Sequence, residues 1–79
     1  MRAKVYVTPK AGVLDPAGQA IGRSLHSLGF DEVREVRLGR YFELELEGER
    51  SAATTRLDQM CRQLLANGVI EDYRFEIDG

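Results

Sequence analysis

One cysteine, one histidine, two prolines and no tryptophan occur in 79 residues. A single cysteine cannot close an internal disulfide, and with a single histidine it cannot complete a four-ligand zinc site. No apolar run exceeds three residues, Val5–Val7 and Leu64–Ala66 being the longest. A membrane span needs about 20 such residues and a signal peptide at least about 7, so neither is expected. An excess of one charge is also missing, because 11 Lys and Arg stand against 13 Asp and Glu, for a net −2. A binder of nucleic acid or of an anionic membrane would concentrate positive charge, so neither partner fits. No glycine-rich phosphate loop of the Walker or Rossmann type is found. The expectation is a soluble, cytoplasmic chain with no metal of its own.

Apolar residues make up 43% of the chain and charged residues 30%. That is a globular mixture, and the length fits a single domain spanning residues 1–79. Below roughly 70–80 residues one core seldom supplies more than about 3–5 kcal/mol. Without a disulfide or metal, the common remaining reinforcement is a second chain, so an oligomer or a subunit is expected.

Periodicity supplies the elements. Val5 and Val7 alternate with Lys4, Tyr6 and Thr8, which predicts a half-buried strand over Lys4–Thr8 that Pro9 ends. Asp15 before Pro16 is an N-cap followed by proline at the first helical position. Ala17, Ala20, Ile21, Ser24, Leu25 and Leu28 then form one apolar stripe, predicting a helix over Pro16–Leu28 that stops at Gly29. Val33–Leu38 and Tyr41–Glu47 flank Gly39-Arg40 and read as a hairpin, although Gly-Arg is a weaker turn than Asn-Gly. Ser51 is a candidate N-cap for a second helix carrying Ala53, Leu57, Met60, Cys61, Leu64 and Leu65. That helix is expected to end on a left-handed cap at Asn67-Gly68. A last strand alternates Tyr73, Phe75 and Ile77 with charged residues. The order β-α-β-β-α-β predicts an α+β, ferredoxin-like domain: a four-stranded antiparallel sheet with two helices on one face.

Reactive groups are sparse. His26 lies opposite the first helix's stripe and reads as a solvated residue rather than a general base. Cys61 lies within the second stripe and reads as a small hydrophobe. Glu43, Glu45 and Glu47 share the outward strand face with Lys4, Tyr6, Arg37, Tyr41, Arg74 and Glu76, either as a solvated surface or as a docking surface. Gly18 and Gly22 share one side of the first helix, and close approach of another backbone would explain Gly22. The Lys10–Asp15 loop around Gly12 either presents donors to an anion or simply caps the helix.

Five segments in register resemble the PurS family of phosphoribosylformylglycinamidine (FGAM) synthase subunits. They are Lys4–Thr8, Gly12–Gly18, Leu28–Phe30, Val36–Leu44 and Leu64–Tyr73. Pro9 and Gly68 depart from the usual pattern, both at turns. The resemblance implies an obligatory, non-catalytic subunit of an ATP- and glutamine-dependent ligase in de novo purine biosynthesis. It would join the glutaminase PurQ to the synthetase PurL and support passage of ammonia between them. It also implies a homodimer or higher oligomer, no cofactor in this subunit, and ATP and Mg used by the synthetase. No catalytic residue is expected. Partner contacts are expected at Lys10, Gly12 and Asp15, at Arg37, Gly39 and Arg40, and at Asn67 and Glu71. The alternative is a small-ligand regulatory module of the amino-acid-binding ACT type, with Gly12-Val13-Leu14 as its glycine loop.

Overall fold

The structure, a computed structural model, describes residues 1–78. In chain order it has β1 (Arg2–Pro9), α1 (Pro16–Ser27), β2 (Arg40–Glu45), α2 (Arg50–Met60) and β3 (Glu71–Asp78). The strands form one antiparallel sheet in the order β2-β1-β3. The class is therefore α+β, but with three strands where four were expected. Residues 33–38 do not pair as a strand, and the expected hairpin is absent.

The central strand organises the sheet. Ala3, Val5 and Val7 are fully buried beneath Leu57 and Cys61 of the α2 region, with Phe42, Leu44, Tyr73, Phe75 and Ile77 packed around them. On the opposite face the register places Tyr6 between Tyr41 and Arg74, Lys4 between Glu43 and Glu76, and Arg2 between Glu45 and Asp78. The Arg74 guanidinium sits 3.9 Å over the Tyr6 ring, and the two tyrosine rings are 5.2 Å apart. A slip of one residue would turn the valines to solvent and the cations into the core, so alternation fixes the pairing.

Why the hairpin fails is visible at Gly39. A two-residue hairpin turn wants positive φ, and among the described residues only Gly12, Gly29 and Gly48 have it. Gly39 serves a close approach instead, since a methyl group there would strike the Val7 carbonyl oxygen and crowd Thr8. The chain upstream of β2 thus runs on past the end of β1 rather than doubling back. It is held along α1: Leu38 N–H donates to Asp15 Oδ2 at 2.9 Å, and the Val33 carbonyl meets His26 Nε2. Gly18 is buried where the backbone of Val36 crosses it. Residues 10–39 therefore make a flap of helix and extended chain.

The helix termini show the same local logic. Asp15 caps α1 by accepting from Gly18 N–H at 3.0 Å, Pro16 follows it, and Gly29 takes φ +99° beyond the end. The N-cap of α2 falls two residues before the expected Ser51, at Glu49, which makes no side-chain bond. It passes into a π-helical turn at Cys61–Leu65, where Ala66 N–H reaches the Cys61 carbonyl at 2.9 Å. Gly68 does not take the left-handed conformation expected of it. The Asn67 side chain instead accepts from Val69 N–H at 3.1 Å and turns the chain into β3.

The molecule is thin and long, 50 × 26 × 14 Å with a radius of gyration of 16.0 Å. A compact chain of this length has about 12 Å. Its accessible area is 5,898 Å², where a compact monomer of 8.9 kDa exposes about 4,800 Å². The excess of about 1,100 Å² includes most of the α1 stripe: Ala17, Ala20, Ile21 and Leu28 are all exposed. The expectation that both helices lie on one face of this chain's own sheet is not met for α1.

The two helical glycines should respond oppositely to alanine. A methyl at Gly18 would collide with the Val36 carbonyl and the Asp15 carboxylate, whereas one at Gly22 would rest 3.8 Å from a Val36 methyl. Gly18→Ala should destabilise by about 1–3 kcal/mol. Gly22→Ala should stabilise by up to about 1 kcal/mol through helix propensity. Urea midpoints of the two variants check both signs.

Candidate functional site

The eight residues singled out in the sequence fall into two neighbouring groups. Lys10, Gly12, Asp15 and Arg37 line an open cleft of about 630 Å³ between the β1–α1 loop, α1 and residues 33–37. Arg40, Asn67 and Glu71 form a bonded corner where β2 and β3 meet the flap, with Gly39 beside it on Val7. Lys10 links the two groups. Its N–H donates to the Ile70 carbonyl at 2.9 Å, and its ammonium pairs with Asp72 at 2.6 Å.

The corner is built around one carboxylate. Glu71 Oε1 accepts from Arg40 at 2.6 Å and from Asn67 N–H at 2.7 Å, while Glu71 N–H donates to the Asn67 carbonyl at 2.8 Å. The Glu71 side chain is only 19% exposed, so this pair is partly shielded from water. The turn it holds presents Val69 at 82% exposure and Ile70 at 44%. Both fall between the singled-out Asn67 and Glu71, inside the Leu64–Tyr73 segment that carries the family resemblance, although neither is singled out by itself. Their signal was a Val-Ile pair immediately after Asn-Gly, where a turn normally carries polar side chains.

The cleft depends on Asp15. The Leu38 N–H, then the Gly18 N–H, and the nearby Arg37 charge hold its carboxyl below the usual range, against a smaller opposing effect of burial. Its oxygens are thus committed to the backbone, and the N-terminus of α1 is already occupied by the chain's own anion. Gly12 (φ +83°) turns the loop outward with no atom near the position of a Cβ. Arg23, Arg34 and Arg37 line the same cleft, and none is in an ion pair among the described residues.

Elsewhere the reactive groups are quiet. Cys61 is buried, and desolvation, with a smaller effect of Asp58, raises its thiol pKa and keeps it protonated. Tyr73 donates to Asp58 at 2.6 Å, which raises the phenol's pKa, and Asp58 also pairs with Arg62 at 2.9 Å. No helix is long and apolar enough to cross a membrane among the described residues. Nor do three His, Cys, Asp or Glu residues there gather as a possible metal site. What the corner and cleft offer chemically is recognition: forked cations, exposed apolar side chains and a rigid backbone.

A protein-family model described as "PurS: Phosphoribosylformylglycinamidine (FGAM) synthase" matches residues 2–79. The chain is 47% identical over 77 residues to phosphoribosylformylglycinamidine synthase subunit PurS of Bacillus subtilis, covering 98% of this chain and 92% of that one. It is 53% identical over 75 residues to the subunit of the same name from Synechocystis, covering 94% and 75% respectively. Its fold is similar to the solved B. subtilis PurS structure, with a TM-score of 0.91 at 46% identity, covering 99% of this chain and 98% of that one. A chain in the structure of PurLQS from Thermotoga maritima is also similar, with a TM-score of 0.85 at 32% identity, covering 95% and 93%.

Two measurements test the site geometry. Glu71→Ala leaves the Asn67 N–H without its acceptor and should cost about 1–2 kcal/mol. Lys10→Ala removes only an exposed pair and should cost under about 1 kcal/mol. Urea denaturation separates the two. Because the carboxyl of Asp15 is lowered in the folded state, the unfolded chain binds the extra proton. The stability it adds is complete above the ordinary aspartate value of about 3.9. It is lost as pH falls through the lowered folded value. Asp15→Asn should therefore flatten the acid limb of a midpoint-against-pH curve.

Proposed function

The chain belongs to the PurS family, the small subunit of FGAM synthase in purine biosynthesis, and we propose that it acts there as a non-catalytic adaptor. It joins a glutaminase subunit of the PurQ kind to a synthetase of the PurL kind, so that ammonia released by one reaches the other without escaping to water. ATP and Mg belong to the synthetase, and this chain carries no cofactor. It works as a homodimer in the cytoplasm. The relation to a chain of PurLQS supports the choice of partners.

One observation carries the assignment of the surface. The residues that sequence and family pattern single out gather at one end of the sheet. There Glu71 fixes Arg40 and the Asn67–Ile70 turn, and Lys10 ties the cleft to that turn. A rigid corner with exposed Val69, Ile70 and Leu38 beside arginines has the make-up of an interface centre, where apolar anchors and Arg dominate the binding energy. Held on such a surface, two active sites keep a fixed separation, and the path between them is covered by protein.

Charge reversal at Lys10 or Arg40 should weaken co-elution with the synthetase and glutaminase subunits by about tenfold or more, the equivalent of about 1.4 kcal/mol. Far-UV circular dichroism should be unchanged. Glutamine-dependent amidine formation should fall, while the reaction supplied with an ammonium salt should persist. Normal glutamine-dependent activity in both variants would remove this corner from the partner surface.

A further inference from the structure

Six of the eleven Lys and Arg residues are in ion pairs, which leaves five without one among the described residues. Three of these five, Arg23, Arg34 and Arg37, line the same open cleft of about 630 Å³ beside α1. The whole chain carries a net −2, so free positive charge is concentrated here against the overall balance. Two carboxylates share the lining, those of Asp15 and Glu35. Asp15 is bound to the Gly18 and Leu38 N–H groups and feels the charge of Arg37. Glu35 forms an ion pair with none of the three arginines. Arg23 comes from α1 and Arg34 from the extended segment that follows it, so two elements turn guanidinium forks toward one opening.

We propose that this cleft receives an extended, carboxylate-bearing segment of a partner subunit. The inference rests on the adaptor reading above and names what the Lys10–Asp15 side of its surface recognises. Three observations select this ligand. First, the backbone donors that would cradle a small phosphate are already engaged, since Gly18 N–H and Leu38 N–H both donate to Asp15. A second anion at the start of α1 would meet that carboxylate. Side-chain donors remain, and the planar fork of arginine matches a carboxylate in two parallel hydrogen bonds. Second, the cleft is open and the molecule only 14 Å thick, so a ligand lies across it, whereas small molecules are mostly enclosed. Third, Leu14, 71% exposed, and the half-buried Val13 line the same cleft and offer apolar contact beside the cations, the mixture found in interface centres. On α1 the cleft is walled by Gly18, Gly22, Arg23 and His26, on the side turned away from the apolar stripe of Ala17, Ala20, Ile21 and Leu28. A contact made on the stripe therefore leaves Arg23 accessible.

The test uses the intact chain with purified synthetase and glutaminase subunits. The double variant Arg23→Glu with Arg34→Glu should bind one of the two more weakly, by about tenfold or more at low ionic strength. Added salt should narrow that gap, because it screens the pairs only the intact chain can form. Circular dichroism and sedimentation of the variant alone should be unchanged. A second variant, Arg23→Lys with Arg34→Lys, keeps the charge and supplies amines for coupling. A water-soluble carbodiimide activates a carboxylate in contact, and the lysine Nζ attacks it to form an amide with release of the urea. Peptide mapping by mass should place that amide on an Asp or Glu of the partner subunit. An intact chain that binds neither subunit would overturn the adaptor reading and this inference together. If it binds, equal binding by the charge-reversed variant overturns the inference alone, and so do amides formed only with carboxylates of this chain. Altered sedimentation of the reversed variant would assign the arginines to contact between copies, also overturning it. Inorganic pyrophosphate that binds the free chain but not the reversed variant would mark a small-anion site in its place.

Discussion

The carboxylate of Asp15 accepts two backbone N–H groups, the local Gly18 at 3.0 Å and the remote Leu38 at 2.9 Å. With it the chain that leaves the sheet after Pro9 and the chain that returns at Arg40 are clamped to the same helix end. Neither α1 nor residues 33–38 is covered by the sheet, so this clamp acts with the His26–Val33 contact and the Val36 crossing at Gly18 to hold the two together. An ordinary N-cap satisfies one helix. Here the second oxygen converts a cap into a tertiary joint, and the Arg37 charge and the cleft take their positions from it.

The sheet itself is secured differently, by a fully apolar inner row on β1 and alternating charge rows outside it. Exposed ion pairs such as Lys10–Asp72 contribute little individually. Register is therefore set mainly by the burial of Ala3, Val5 and Val7, and the outer pairs penalise a slip. One helix over three strands leaves a thin body, 14 Å in its smallest extent. Its fully enclosed core is correspondingly small, made by Ala3, Val5, Val7, Leu57 and Cys61.

Two of the groups with raised pKa values owe them to different causes, desolvation at Cys61 and the hydrogen bond to Asp58 at Tyr73. Cys61 is shielded and kept protonated, and Tyr73 is held by Asp58. Cys61 packs into the core with Val5, Val7 and Leu57, while the Tyr73–Asp58 bond joins β3 to α2. Where the flap joins the sheet, Lys10 and Arg40 are instead paired with Asp72 and Glu71.

The sequence by itself determined the local elements: the valine alternation of β1, the Asp15-Pro16 start of α1, the burial of Cys61 and the last strand. These depend on neighbours within one or two turns, and periodicity reports such neighbours directly. It also marked Lys10, Arg40, Asn67 and Glu71 before any geometry was known. It could not say that one carboxylate binds Arg40 and Asn67 together, since that contact joins residues far apart in the chain. Nor could it say whether Gly39 turns the chain or merely passes close to Val7, because glycine permits both. Tertiary structure decided that question. With the Val7 carbonyl against Gly39, the backbone continues outward, and the strand and helix stripe that the pattern predicted lie beyond the reach of their own sheet.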